Sequence, residues 1–233
     1  MKTSFWTRLF DLISPRTCAI CNTRLSPNEE VICSVCHLHL PFTHHEQTPF
    51  DNPMARLFWG QIPIEKAAAL FFYQPGSELA QLIYNLKYFQ RPDIGVAMGV
   101  MVAKQFSRHG FFEGIDAIVP IPITRRRRWK RGYNQSEQIA HGIKDVTHLP
   151  IYNKVVVREH FSGSQSRKNA IERRENVANA FRLVDADKIR GRHLLLVDDI
   201  VTTGSTIIAC SQQLCQAEGV RVSILSLGLT FNP

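Results

Sequence analysis

The chain has 233 residues, of which 44% are hydrophobic and 9% aromatic, and this composition suits a globular protein with one α/β domain and a small appendage. Its formal net charge of +8 and its isoelectric point of about 9.4 favour polyanionic partners, namely nucleic acid, phosphorylated small molecules or an acidic protein. No apolar run approaches the roughly 20 residues that span a bilayer, and residues 1–13 lack the continuous apolar region of a signal peptide, so we expect a cytoplasmic protein without membrane insertion.

Four of the six cysteines form two closely spaced pairs, Cys18 with Cys21 and Cys33 with Cys36. Two such pairs can place four thiolates around one ion, and zinc fits because thiolates are soft ligands and zinc accepts tetrahedral geometry. Residues 14–45 are therefore predicted to form a zinc ribbon whose metal supplies its folding energy. Disulfides, a redox pair and an iron–sulfur cluster are the alternatives. One of four nearby histidines could also replace a cysteine as ligand: His37, His39, His44 or His45.

After a predicted linker at residues 46–65, strand-like runs alternate with segments of helical spacing. The predicted strands cover 67–73, 115–121, 154–157, 193–197 and 221–229. The predicted helices cover 77–89, 94–106, 133–146, 169–179 and 207–217, and a polar loop is predicted at 162–167. Asn134 is the predicted N-cap of the third helix, with Glu137 completing a capping box. The alternation predicts an α/β fold over residues 66–233, a mostly parallel sheet flanked by helices on both faces.

Two adjacent carboxylates, Asp198 and Asp199, follow the apolar run at 193–197. Ligands of open parallel sheets bind at the carboxyl ends of strands, where such a pair can accept hydrogen bonds from ribose hydroxyls or hold Mg²⁺. A loop of hydroxyls around one glycine comes next, at the start of a predicted helix: Thr202, Thr203, Gly204, Ser205 and Thr206. Helix N-termini favour phosphate groups, so the loop predicts a phosphate site. The alternatives are a solvated turn with a capping aspartate and an N-cap with extra threonines.

Several separated motifs carry a resemblance to a known family. Residues 197–206, VDDIVTTGST, resemble the motif that binds 5-phosphoribosyl-1-pyrophosphate (PRPP) in type I phosphoribosyltransferases. From Cys18 onward the chain is similar to the ComF family, in which a four-cysteine ribbon precedes a domain of that type. The other matching segments are LKY at 86–88, VPIP at 119–122, RGYNQ at 131–135, Gln165 with Arg167, and RENV at 174–177 before Phe181.

The resemblance implies a ligand and a role for each part of the site. Asp198 and Asp199 would bind the ribose hydroxyls, residues 202–206 would hold the 5-phosphate, and the turn at 119–123 would lie near the pyrophosphate. Mg²⁺ would accompany PRPP and screen its diphosphate.

The resemblance also implies roles for two basic residues, and the chain differs from the family pattern at Thr202. Lys87 and Arg131 are candidates for binding the pyrophosphate charge, although Lys87 could instead belong to the polar face of a helix. Thr202 stands where purine-salvage members usually have an aspartate that handles a proton at the base, and a threonine cannot take that role near neutral pH. The acceptor of any transfer is therefore left open, and nothing in the sequence indicates an oligomeric state.

Three functions compete on these observations. The first is an enzyme that transfers phosphoribosyl from PRPP through an oxocarbenium-like state. The second, implied by the resemblance to the ComF family, is a competence factor for DNA uptake that binds single-stranded DNA through a basic surface, with Trp129 and Tyr133 available to stack bases. The third is a regulator that senses PRPP without turning it over. The basic surface would comprise Arg125, Arg126, Arg127, Arg128 and Lys130, a run that could instead be a solvated loop or serve the pyrophosphate.

Overall fold

The computed structural model describes residues 15–159 and 180–230, and a four-stranded parallel sheet lies at the centre of this part of the chain. Its strands are β1 (Ala67–Tyr73), β2 (Ala117–Pro120), β5 (His193–Val201) and β6 (Arg221–Thr230), in the spatial order β1-β6-β5-β2. A separate antiparallel pair joins β3 (Val156–Arg158) to β4 (Phe181–Leu183). The parallel strands require crossover connections, which helices supply.

Helices pack on both faces of the sheet, so the predicted architecture is confirmed. The helices are α1 (Ser34–Leu38), α2 (Pro53–Arg56), α3 (Glu78–Tyr88), α4 (Pro92–Ser107), α5 (Arg125–Arg131), α6 (Gln135–Thr147) and α7 (Ser205–Leu214). On one face Leu195 and Val197 of β5 belong to a core with α3, α4 and α6. On the other face Leu194 and Leu196 belong to a core with α2 and α7. Among the described residues, no helix combines the length and apolarity needed to cross a membrane.

Two glycines allow the backbones of α4 and α6 to touch. A methyl group added at Gly99 would lie 2.1 Å from the carbonyl oxygen of Ile139, and one added at Gly142 would lie 2.0 Å from that of Val96. Both distances are far below any real contact, so only glycine fits at either position. The close approach fixes α6 against α4 and thereby holds the N-terminus of α6 beside the carboxyl end of β5.

The predicted strands, and the four predicted helices that fall within the described ranges, are all present; the first strand has the predicted bounds and the other elements have shifted ends. The largest shift is in β5, which continues to Val201, so that Asp198 and Asp199 lie within the strand rather than after it. The last helix begins at Ser205 and ends at Leu214. The predicted loop at 162–167 and helix at 169–179 lie outside the described residues. Helix α5 and strand β4 are additions that the sequence patterns do not predict.

The N-cap prediction for α6 is confirmed, because the Asn134 side chain accepts a hydrogen bond from the backbone N–H of Ser136. The predicted capping box is wrong in its second half. Both carboxylate oxygens of Glu137 accept hydrogen bonds from Arg128, at 3.1 and 2.9 Å, so this side chain ties α5 to α6.

Residues of the cysteine-rich segment share a core with the α/β part of the chain. Cys18 and Ile20 are buried in the same apolar cluster as Leu82 and Leu86 of α3. The side-chain amide of Asn85 donates a hydrogen bond of 2.7 Å to the carbonyl of Ala19, between the first two cysteines. The ribbon therefore packs directly on α3.

Candidate functional site

The two predicted carboxylates are adjacent residues near the carboxyl end of β5, and their side chains contact different helices. Asp199 points toward α3, where its Oδ2 lies 2.9 Å from Nζ of Lys87. Asp198 accepts a hydrogen bond of 3.1 Å from the hydroxyl of Ser136, the second residue of α6. The structure thus brings together Lys87, Asp199 and Asp198, and adds Ser136 to them.

The environment of Asp198 disfavours a negative charge. Burial, followed by the neighbouring charge of Asp199, raises the pKa of the Asp198 carboxyl to about 7, although Ser136 and Lys87 lower it. A bound cation or a set of hydroxyl donors would relieve both effects. The pair is therefore suited to a ligand that brings hydroxyls or a metal ion.

The hydroxyl-rich loop turns from β5 directly into α7. Gly204 is the N-cap residue, with a φ of 73°, in the left-handed region that favours glycine. Thr202, Thr203 and Ser205 are exposed, and the Thr203 and Ser205 hydroxyls lie 3.1 Å apart. The first backbone N–H groups of a helix have no partner within it, so the start of α7 offers donors to an anion. Thr206 lies next to this turn and is half-buried.

Arg131 lies close to the site but makes other contacts. Its Nη1 donates a hydrogen bond of 2.8 Å to Oε1 of Gln135, and its guanidinium lies 5.6 Å from the ring centre of Tyr88. Tyr88 follows Lys87 in the chain, so Arg131 approaches the C-terminal turn of α3 rather than the carboxylates themselves.

The arginine run is a helix rather than a solvated loop. Thr124 caps the start of α5 with its side chain, and Gly132, with a φ of 81°, ends it. Arg128 is held by Glu137. The other four predicted basic residues of the run have exposed side chains: Arg125, Arg126, Arg127 and Lys130.

The two aromatic residues predicted to stack bases differ in their surroundings. Trp129 is 89% exposed and thus accessible. Tyr133 is half-buried and its hydroxyl donates a hydrogen bond to the carbonyl of Leu86, which braces the end of α3. The prediction of Tyr133 as a stacking residue does not match this placement.

A further basic residue lies near the carboxylates, at a position that the sequence patterns do not single out. Arg158 of β3 lies over the ring of Phe181, 5.2 Å from its centre, and lines a cleft with Pro122, Arg125 and Arg182. Burial and the nearby Arg127 lower the pKa of the Arg158 guanidinium, while the Asp198 carboxylate raises it. No local pattern marks Arg158 or Ser136, because each reaches the site through long-range packing.

The four predicted metal ligands also lie together, with the Sγ atoms of Cys18, Cys21, Cys33 and Cys36 all within 4.8 Å of one another. All four thiols are free, and Cys21 Sγ lies 3.7 Å from Cys33 Sγ. Tetrahedral zinc with Zn–S bonds of ~2.3 Å separates its sulfurs by about 3.8 Å, so the cluster fits a metal ion. Backbone N–H groups of Ile20 and Cys33 point at Cys18 Sγ, at 3.5 and 3.4 Å. The cluster in the described residues includes no histidine.

Several known proteins resemble the chain. It is 30% identical over 217 residues to the DNA utilization protein YhgH of Escherichia coli (strain K12), covering 92% of this chain and 90% of that protein. It is 37% identical over 100 residues to competence protein F of Haemophilus influenzae, covering 42% of this chain and 44% of that protein. A scan of protein-family models finds no match.

Two solved structures match the chain at low sequence identity and low TM-score. Glutamine PRPP amidotransferase from Bacillus subtilis is 20% identical with a TM-score of 0.39, over 60% of this chain and 30% of that chain. Adenine phosphoribosyltransferase from Saccharomyces cerevisiae is 14% identical with a TM-score of 0.36, over 60% of this chain and 72% of that one. Scores this low carry no weight for function.

The relationship to YhgH extends over nearly the whole of both chains, and the match to competence protein F agrees with it. The four-cysteine cluster and the parallel α/β sheet have the order that the sequence motifs predict. The chain therefore belongs to the ComF family of competence and DNA utilization proteins.

Proposed function

We propose that this ComF-family chain binds PRPP or a related ribosyl phosphate together with Mg²⁺ at the carboxyl end of β5. The observation that carries the proposal is one continuous stretch in which Asp198 and Asp199 run into a glycine-capped loop of hydroxyls at the start of α7. Neighbouring carboxylates suit the vicinal hydroxyls of a ribose, and a helix N-terminus suits its phosphate. A ribosyl phosphate offers both groups in one small molecule.

The residues present suit the roles that this ligand requires. The carboxylates would accept from the ribose hydroxyls, and Asp198 and Asp199 are the residues that would hold Mg²⁺, an ion that prefers carboxylate and phosphate oxygens. When bound, Mg²⁺ would neutralise diphosphate charge. Lys87 forms an ion pair with Asp199 and so lies at the site already. It would exchange that contact for the diphosphate, with Arg131 beside the neighbouring Tyr88 as a second candidate.

Transfer of the phosphoribosyl group to an acceptor is the reaction that such a site could support. Lys87 would assist departure of the diphosphate by electrostatic stabilisation of its negative charge. Thr202 supplies no carboxylate for proton transfer. A regulator that binds PRPP without turnover has the same binding site. Release of pyrophosphate from bound PRPP separates the two, because only the enzyme produces it.

Substituting Gly204 with alanine tests the phosphate loop. A Cβ there would lie 2.8 Å from the Phe58 ring and would occupy a left-handed conformation, so the loop must shift away from its phosphate-binding form. We expect PRPP affinity to fall about tenfold or more in equilibrium dialysis with Mg²⁺. Gly114→Ala is the matched control, because it has a φ of 74° and no heavy atom within 4 Å of the added carbon. Equal affinity of the two variants would contradict the assignment of the loop.

We propose a structural Zn²⁺ for the ribbon, because its four free thiols fit a closed tetrahedral site. Cys18, Cys21, Cys33 and Cys36 would hold the ion, which would act as a fold-stabilising cross-link with no part in chemistry.

A second candidate function is the handling of single-stranded DNA. It is favoured by the exposed basic side chains of α5 and by the names of relatives, which refer to DNA utilization and competence. Four guanidinium or ammonium groups on one short helix form a local surface that suits a row of phosphates.

The basic surface predicts a specific salt dependence. Replacing Arg125, Arg126 and Lys130 with alanine should weaken binding of a labelled oligothymidylate and reduce the slope of log K against log salt by about 0.7 for each phosphate that is no longer bound. Arg190→Ala/Arg221→Ala is the control, since Arg190 lies in the turn before β5 and Arg221 is the first residue of β6, so neither belongs to α5. An unchanged slope in the triple variant would exclude α5 as the phosphate-binding surface.

A further inference from the structure

Three aromatic side chains form an exposed cluster at the C-terminal end of α3. Tyr84, Tyr88 and Phe89 are 50%, 54% and 61% exposed. Their rings contact one another, with centroids 4.9 Å apart for Tyr84 and Tyr88 and 5.7 Å apart for Tyr84 and Phe89. We call these three residues the α3 aromatic cluster.

The cluster is not needed to attach α3 to the core. The opposite face of the helix supplies the buried residues, and Leu82 and Leu86 are fully buried there. Three neighbouring large rings on the solvent face are a contiguous apolar surface, and such surfaces in proteins mark binding sites.

Cations border the cluster. The guanidinium of Arg131 lies over the ring of Tyr88. Arg131 is the last residue of α5, and this helix also carries the exposed side chains of Arg125, Arg126, Arg127 and Lys130. Lys87 lies within the same turn of α3 as Tyr88. A partner of the cluster must therefore offer flat apolar groups and negative charge together, which an uncharged peptide or a lipid tail does not.

We propose that the α3 aromatic cluster stacks the bases of single-stranded nucleic acid whose phosphates contact α5. Stacking on aromatic rings tolerates any base because every base has a π face, and Arg131 adds a cation above one ring. A duplex does not suit the surface, because its bases are already paired and stacked. The proposal rests on the second candidate function and deepens it.

The test measures binding of labelled oligothymidylate by fluorescence anisotropy to the full chain and to Tyr84→Ala/Phe89→Ala. We expect the affinity of the variant to fall about tenfold or more while the salt slope stays the same, because rings and not charges are removed. Tyr84→Phe keeps the ring and should bind within about twofold of the unsubstituted chain. Phe50→Ala removes a ring that is 63% exposed in a different part of the chain and should have no effect.

Contrary results separate the two proposals. If the full chain binds oligothymidylate and the double variant binds it equally well, the stacking role is overturned and the basic surface stands. The same anisotropy measurement is made with a labelled DNA duplex. If the double variant loses affinity for the duplex by the same factor as for oligothymidylate, the rings do not select unpaired bases and the stacking role is also overturned. If the full chain binds no oligothymidylate, both the DNA function and the stacking surface are overturned. Thermal melting of each variant shows that it is folded.

Discussion

Serine at both Cys33 and Cys36 is expected to abolish metal binding and to lower the free energy of unfolding by about 3 kcal/mol or more. The four thiols lie within 4.8 Å of one another, and two of them cannot hold a closed tetrahedral site. The ribbon contributes Cys18 and Ile20 to the core that contains α3, so its loss exposes apolar surface of the α/β part as well. A chain of this size should lose roughly 10 °C in melting temperature.

The measurement is thermal melting together with the zinc content of the purified chain. Cys215→Ser is the matched control, because this thiol is half-buried in a different core and should change neither quantity much. If the double variant has the same melting temperature as the unsubstituted chain, the ribbon needs no metal. If the melting temperature of the double variant falls while zinc remains bound, the loss of stability comes from packing instead.

Replacing either site carboxylate with its amide should cost PRPP affinity while leaving the fold intact. Asp198→Asn and Asp199→Asn keep the size of the side chain but remove the charged acceptor, and we expect affinity to fall about a hundredfold in each case. Asp198 is held in an environment that disfavours its charge, so the amide should not reduce the stability of the free chain. Asp199→Asn leaves Lys87 without its ion pair, and that side chain is 24% exposed and can be solvated.

Ligand-induced shifts of the melting temperature measure this prediction, because a ligand stabilises only the folded chain that binds it. PRPP with Mg²⁺ should raise the melting temperature of the unsubstituted chain and should not change the melting temperature of either amide variant. Ser211→Ala removes a buried hydroxyl in the second half of α7, beyond the hydroxyl loop, and it should retain the shift. Equal shifts of the melting temperature in all variants would contradict the assignment of Asp198 and Asp199 to the binding site.

Those parts of the site that are contiguous in the chain could be predicted from the sequence. The apolar run of β5, the carboxylate pair and the hydroxyl loop are one local segment, so strand, ligand groups and helix start follow from neighbouring residues. The four cysteines are likewise marked by their spacing. Only the family resemblance points to Lys87 as part of the site, since it lies far from Asp199 in the chain.

Other parts depend on packing that no local pattern reveals. Ser136 meets Asp198 because Gly99 and Gly142 let α4 and α6 touch, which fixes the start of α6. Arg158 approaches Asp198 through the β3–β4 pair, whose second strand is only three residues long. Helix α5 has no apolar periodicity that would predict it, although its caps, Thr124 and Gly132, are visible in the sequence.

Calorimetric titration of the zinc-loaded chain with PRPP and Mg²⁺, beside the Asp198→Ala/Asp199→Ala variant, tests whether a ribosyl phosphate binds at the carboxyl end of β5. We expect saturable binding at one site in the unsubstituted chain and no binding in the variant. No heat of binding in the unsubstituted chain, or the same binding in both, would contradict a ribosyl-phosphate site at the carboxyl end of β5.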